Sequence, residues 1–320
     1  MKKPRKQELR KDTTDRRLRH IPQPKGLEIL LTETDVLRFE FIQRHGDLPL
    51  TLIHEYTKQR CKNLDATRKR FTKLFHEKKT LHKGTYIDRD PSQYETRNSD
   101  YQFGVYQTNK RSNKVLEERG LYQANTPHTS SSWRHDFLRA CYSASIELAC
   151  LKEPDKYEYI PHHRIIDKIG TSKFDVDGDT FRPDLIHGIR YLDSGKVTMF
   201  MVEIDMNTEQ LRSTQKNKDK TFEEKLKIYK KYFEDKLFKK DFGSRTGIMM
   251  HTVTTNKVHM DNLIELAKDV VGGGCNFMLF NYVDGFEFGF IPPSKPFPLF
   301  KAPSLRPGRA DFYMSDPNSK

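Results

Sequence analysis

The spacing of apolar and polar positions changes character several times along the chain. From Thr32 onward apolar residues recur near helical spacing, first Val36, Phe39, Phe41 and Ile42, then Leu50, Leu52, Ile53 and Tyr56, then Leu64, Phe71, Leu74 and Phe75. That period predicts three short helices. They are broken at His45-Gly46-Asp47 and near Asn63, whose side chain can cap the helix that follows. Two polar, strand-like segments come next, Thr80 to Asp88 and Tyr101 to Gln107, with a turn-rich stretch between them.

Three helices followed by a hairpin is the winged-helix order, which assigns residues 26–110 to a DNA-binding domain of that type. Its third helix, LDATRKRFTKLFHEKK, gathers Leu64, Phe71, Leu74 and Phe75 on one face. Arg68, Lys69, Arg70 and Lys73, with Ala66, lie toward the other, the arrangement of a recognition helix offered to phosphates and base edges. The alternative is a small helical domain whose basic face only keeps it soluble. Residues 111–134 are polar, contain a Ser-Ser-Ser run and read as a linker.

A second domain, residues 135–291, opens with the helix HDFLRACYSASIELACL, in which Phe137, Leu138, Cys141, Ile146, Leu148 and Ala149 are available to a core. Leu185 to Ile189 then forms a β-rich run, Leu192 to Lys196 has Asp-Ser-Gly turn chemistry, and Val197 to Met206 reads as an apolar strand. A hairpin with its loop at 192–195 pairs Tyr191 with Lys196 and sets Asp184 opposite Glu203. Side chains alternate along a strand, so Met199, Met201, Glu203 and Asp205 share one face and Phe200, Val202, Ile204 and Met206 the other.

Further on, GIMMHTV (247–253) reads as a strand, Val258 to Val271 as a helix, and NFMLFNYV (276–283) as another strand. The expected fold class is therefore mixed α+β or α/β, the second domain having an αβββαβ core with one added helix. Seven prolines between Pro292 and Pro317 mark residues 292–320 as an extended tail, either packed over the domain or disordered.

Charge sharpens this picture. The 320 residues carry 57 Lys and Arg against 44 Asp and Glu, a formal charge of +13. Residues 1–80 hold 21 basic and 11 acidic side chains, and residues 211–240 hold 11 and 5. Two separated basic surfaces suit a protein that grips a nucleic-acid backbone, here double-stranded DNA, in two places; a solvated charged face is the alternative for the second. Residues 1–25, rich in Lys and Arg and poor in apolar groups, read as a flexible basic arm.

No apolar run is long enough for a membrane helix, and the amino terminus lacks the apolar core of a secretory signal. The expectation is a soluble cytoplasmic chain with no membrane partner. Cys61, Cys141, Cys150 and Cys275 form no Cys-x-x-Cys pair, which argues against a zinc ribbon or a disulfide scaffold.

Two carboxylates near the end of an apolar strand, aimed toward Asp184, are costly to bury uncompensated. A hard dication, Mg²⁺ or Mn²⁺, would resolve that cost with oxygen ligands from Asp184, Glu203 and Asp205. Beside basic surfaces, such a cluster points to metal-assisted phosphodiester hydrolysis. The alternative is that Asp184 caps a turn while Glu203 and Asp205 pair with Arg or Lys.

The string Arg182-Pro183-Asp184, followed by an apolar strand ending Glu203-x-Asp205, resembles the PD-(D/E)xK nuclease motif. MVEIDMNTE, with a lysine-rich amphipathic helix ending in tyrosines after it, is similar to the replication-relaxation family of plasmids and phages. That resemblance implies a winged-helix front and a PD-(D/E)xK-like back, acting in DNA replication and relaxation. It assigns Asp184 and Glu203 to the two motif acids and Glu147, in the first helix of the second domain, to the acid that many members of the superfamily add to the metal site.

The departure is Asp205, where the motif has lysine. In TFEEKLKIYKKYFEDKLF, Phe222, Leu226, Tyr229 and Phe233 make the buried stripe and Lys225 lies on its flank, where it can reach the site as a migrated lysine. Glu209 stands as a further ligand or as part of the turn after the strand.

The expected function is thus a metal-dependent, site-specific DNA endonuclease that nicks one strand unless it forms a homodimer. The other reading is a DNA-binding replication or regulatory factor whose nuclease-like domain has lost activity and serves dimerisation or docking. Three further signals carry less. Asp175-x-Asp177-Gly178-Asp179 has its glycine misplaced for a calcium loop and reads as a hairpin turn. His162-His163 lacks relaxase spacing, although a tyrosine-nucleophile relaxase stays open as an alternative. Gly272 to Gly274 lacks the Gly-Lys-Ser/Thr ending of a phosphate loop.

Overall fold

The computed structural model describes residues 19–77, 84–94, 104–130, 132–207, 210–212, 221–243, 247–284 and 291–319. The amino-terminal unit runs α1 (Glu33–His45), β1 (Leu48–Pro49), α2 (Leu50–Tyr56), α3 (Leu64–His76), β2 (Ile87–Asp88), β3 (Val105–Thr108) and α4 (Lys110–Glu118). Thr32 and Asp35 close a capping box on α1, and Asn63 caps α3. The three short strands form an antiparallel sheet in the order β1-β3-β2.

Two segments differ from their expected form. Part of the stretch expected to be a linker folds as α4, because Asn109 and Ser112 cap it reciprocally and its Leu116 is fully buried in the amino-terminal core. The end of the expected basic arm, from Gln23 to Lys25, is pinned rather than free, together with Gly26 and Leu27 after it. The buried Glu77 carboxylate accepts the amides of Lys25, Gly26 and Leu27, and His76 accepts that of Gln23. Residues 1–18 lie outside the described residues.

The second unit follows as α5 (Trp133–Lys152), β4 (Tyr157–Ile160), α6 (His162–Ile169), β5 (Phe174–Val176), β6 (Asp179–Phe181), β7 (Leu185–Tyr191), β8 (Val197–Asp205), α7 (Phe222–Glu234), α8 (Phe238–Phe242), β9 (Gly247–Thr254), α9 (Lys257–Val271), β10 (Met278–Tyr282), β11 (Pro303–Arg306) and β12 (Arg309–Tyr313). Seven strands form one sheet in the order β12-β11-β10-β9-β8-β7-β4. β4, β7 and β8 are antiparallel neighbours, with α6 and the β5–β6 hairpin inserted between β4 and β7, and β8, β9 and β10 run parallel. The chain is a mixed α+β protein.

The proline-rich tail is neither loose nor merely laid over the domain: β11 and β12 extend the sheet antiparallel from β10. Pro303 occupies the first position of β11, where a strand tolerates proline. Asp177 and Gly178, both with positive φ, make the tight turn between β5 and β6, so this acidic segment is a hairpin.

Alternation along β8 sets the two faces of the sheet. Phe200, Val202 and Ile204 join a core shared with α5 and with Phe39, Phe41 and Phe71 of the amino-terminal unit. Met201 faces the other core, with Phe222, Leu226 and Tyr229 of α7 and Leu263 of α9. The two expected domains therefore share one apolar core on the α5 side. Among the described residues no helix is long and apolar enough to cross a membrane.

Candidate active site

The β7–β8 register runs from Leu185 opposite Val202 to Arg190 opposite Val197, and one step further sets Asp184 opposite Glu203. The Asp184 amide donates to the Val202 carbonyl at 3.1 Å, which extends the ladder to the carboxylate-bearing residue itself. Both acids thus meet at one end of the sheet, where the parallel strands β8 and β9 end.

Glu203 is buried, and each of its oxygens has a partner on α7. The Tyr229 hydroxyl donates to Oε1 at 2.6 Å, and Lys225 Nζ lies 2.9 Å from Oε2. Lys225 and Tyr229 are four residues apart, one helical turn, so both reach the same strand. Burial, joined by the Asp184 charge, lifts the Glu203 carboxyl to about 7 against the pull of Lys225 and the Tyr229 hydrogen bond.

Asp184 is half-buried, at the rim. Its Oδ2 accepts from the Ile204 amide at 2.8 Å and pairs with His135 Nε2 at 3.1 Å. Burial opposes its ionisation, but the His135 hydrogen bond and charge, with Lys225 and the Ile204 amide, outweigh this and hold the carboxyl below its ordinary range. His135 also faces Asp136 through Nδ1 at 3.4 Å. Burial alone would depress this imidazole; the bonds to Asp136 and Asp184 raise it to about 9. An imidazole with a carboxylate at each nitrogen donates from both, and is therefore a cation.

Two residues expected at the metal are placed elsewhere. Asp205 lies on the same face as Glu203, but two residues on, about 6.6 Å along the strand. There its Oδ2 meets His259 Nε2 of α9 at 2.7 Å, and its Oδ1 accepts the Asn207 amide. Glu147 is twelve residues beyond His135 on α5, a rise of about 18 Å. It pairs instead with Arg44 and with His45 Nε2 of α1, the latter at 2.7 Å, where the Arg44 charge and the His45 hydrogen bond overcome burial and keep its carboxyl low. Glu209 lies outside the described residues.

The donor chemistry of Asp184 and Glu203 suits a hard dication. Asp184 Oδ1 has no hydrogen bond among the described residues. Thr252, paired with Glu203 in β9 and therefore on the same face, has a fully buried hydroxyl with no hydrogen-bond partner among them. Among the described residues no three His, Cys, Asp or Glu side chains come together closely enough to hold a metal. The set that does converge is two carboxylates, Lys225, His135 and Tyr229.

Sequence reasoning missed His135 and the hydroxyl of Tyr229. The only signal for Tyr229 was its place one turn after Lys225; His135 had none, since its partner Asp184 is 49 residues away.

The helix expected to face DNA is divided. Lys69 and Lys73 are exposed, as is Arg68, which pairs with Asp65 of its own helix. Arg70 instead turns inward to the buried Asp35 of α1, with Nη2 2.5 Å from Oδ2, and also donates to the Leu30 carbonyl. Arg70 therefore holds the amino-terminal unit together and is not free for phosphates. His162, weighed for a relaxase, is buried at the start of α6, where its Nδ1 accepts the Ile186 amide at 3.0 Å.

Comparison of this chain with protein-family models, with curated proteins and with solved structures finds no match in any of the three.

Proposed function

We propose that this chain is a divalent-metal-dependent DNA endonuclease of the replication-relaxation type, with PD-(D/E)xK-like chemistry at Asp184, Glu203 and Lys225. One observation carries the reading: a lysine from the helix after the acidic strand lies 2.9 Å from a glutamate that is itself opposite Asp184. That is the charge the motif normally takes from the strand, here delivered by the next element. With α6, the β5–β6 hairpin and α8 set aside as insertions, the order α5, then antiparallel β4, β7 and β8, then α7 and parallel β9, agrees with the αβββαβ core.

Asp184 and Glu203 are the residues that would hold Mg²⁺ or Mn²⁺, which when bound polarises a phosphodiester and lowers the pKa of a water. Lys225 offsets charge that develops on the phosphate. Tyr229 and the Ile204 amide orient the two carboxylates. The amino-terminal unit, with the three-helix order and the β1-β3-β2 sheet of a winged helix, supplies duplex binding through Arg68, Lys69 and Lys73. One such site per chain cuts one strand.

The test uses supercoiled plasmid carrying the protein's recognition sequence, first selected from a random duplex pool. Mg²⁺-dependent conversion to open circles, abolished in both Glu203→Ala and Lys225→Met, is the expected result. Binding without conversion by the wild-type chain overturns the enzyme and leaves a DNA-binding factor, the reading favoured by Asp205 pairing with His259 in place of the motif lysine.

A further inference from the structure

We infer that Lys225 also gates metal loading: its ammonium occupies the Glu203 carboxylate until a phosphodiester takes it over, so that a divalent cation and nucleic acid bind this site cooperatively. The inference rests on the reading above.

Of the four carboxylate oxygens of Asp184 and Glu203, three already have partners. Glu203 Oε1 accepts from Tyr229, Glu203 Oε2 faces Lys225, and Asp184 Oδ2 accepts from the Ile204 amide and His135. Two cations, Lys225 and a His135 that bonds a carboxylate on each side, lie against these carboxylates. A dication entering this set meets two resident cations and, among the described residues, one carboxylate oxygen without a partner, whereas Mg²⁺ and Mn²⁺ are held by carboxylate oxygens together with water.

Only one partner is built to leave. The Ile204 amide is backbone. Tyr229 is fully buried, and His135 is held from its far side by Asp136. Lys225 alone combines a flexible four-carbon stem with a side chain that is 27% exposed, and its ammonium pairs with a phosphate as readily as with a carboxylate. When Nζ moves to a phosphodiester, Glu203 Oε2 is freed and a cation leaves the carboxylate, both of which favour the dication. Linkage makes the effect reciprocal: whatever nucleic acid does for metal affinity, metal does for nucleic-acid affinity. Metal loading, and with it cleavage, would then wait for DNA.

The test is Mn²⁺ binding to the full chain by titration calorimetry, alone and with a 5′-phosphorylated dinucleotide. Wild type is expected to bind weakly alone and about tenfold more tightly with the dinucleotide. Lys225→Met should bind about tenfold more tightly than wild type without the dinucleotide and gain nothing from it. Lys225→Arg, which keeps the charge, should remain weak alone, and Asp184→Asn should not bind. Equal or weaker Mn²⁺ binding by Lys225→Met overturns the gate while leaving the metal site standing. Absence of Mn²⁺ binding in wild type and Lys225→Met, with or without the dinucleotide, overturns the site and the gate together. Lys225→Gln, with folding checked by thermal melting, serves the same comparison should the methionine variant not fold.

Discussion

Glu203 is the residue on which burial and charge act most directly against each other. Its carboxyl, ordinarily near 4.5, is lifted to about 7 because burial penalises the ionised form more than Lys225 favours it. The folded chain thus holds this proton more tightly than the unfolded chain. Its contribution to stability is fully present below about pH 4.5 and is lost as pH rises through about 7. Thermal melts of the metal-free protein should show wild type losing stability between about pH 5 and 8, and Glu203→Gln losing less. Parallel curves would place the titration on another group. Sequence alternation gave the correct face for Asp205 as well as for Glu203. It says nothing of distance along the strand, and that distance hands Asp205 to His259.

At the level of elements, α3 and α7 show how far a period of 3.6 carries. Both apolar stripes are buried largely as their spacing requires: Phe71, Leu74 and Phe75 in one, Phe222, Leu226, Tyr229 and Phe233 in the other. On the flanks the period stops discriminating. Arg70 and Lys69 are neighbours in sequence, yet Arg70 reaches buried Asp35 while Lys69 stays at the surface with Asp65. Arg70→Ala should therefore lower stability by about 3 kcal/mol, because Asp35 is left buried with its main partner gone. Lys69→Ala and Lys73→Ala should leave the melting temperature unchanged, weaken duplex binding at all sequences and each reduce the salt slope by about one. Melts and a salt titration of DNA binding separate the two classes.

Across the whole molecule the amino-terminal unit and the sheet are joined by more than shared apolar surface. Arg44 and His45 at the end of α1 meet Glu147 of α5, and Trp133 Nε1, one turn before Phe137, donates to Asp47 Oδ2 at 2.6 Å. The helix that places His135 against Asp184 is thereby fixed to the amino-terminal unit. Glu147→Gln should destabilise the chain by about 3 kcal/mol and leave Mn²⁺ affinity unchanged, since it leaves Arg44 short of a charge partner and removes no oxygen from the carboxylate pair. A fall in Mn²⁺ affinity would return Glu147 to the metal. Burial also pushes His162 and His251 down to about 4. The unfolded chain binds these protons more readily, so stability is present above about pH 6.5 and is lost as pH falls toward 4. Acid melts of His251→Asn should show a shallower loss than wild type.

Short-range regularities were enough for α1, α2, α3, α5, α7 and α9, the faces of β8, the hairpin register and so the meeting of Asp184 with Glu203. Each follows from the repeat of a helix or strand and from the turn at 192–195, which act over a few residues. The partners of the charged groups depended on packing. That Lys225 reaches Glu203, that His135 holds Asp184, that Asp205, Glu147 and Arg70 are taken by His259, Arg44 and Asp35, and that the proline-rich tail completes the sheet, all require segments distant in sequence to be brought together. A buried charge takes whichever opposite charge the fold sets within reach, and no local pattern encodes that choice.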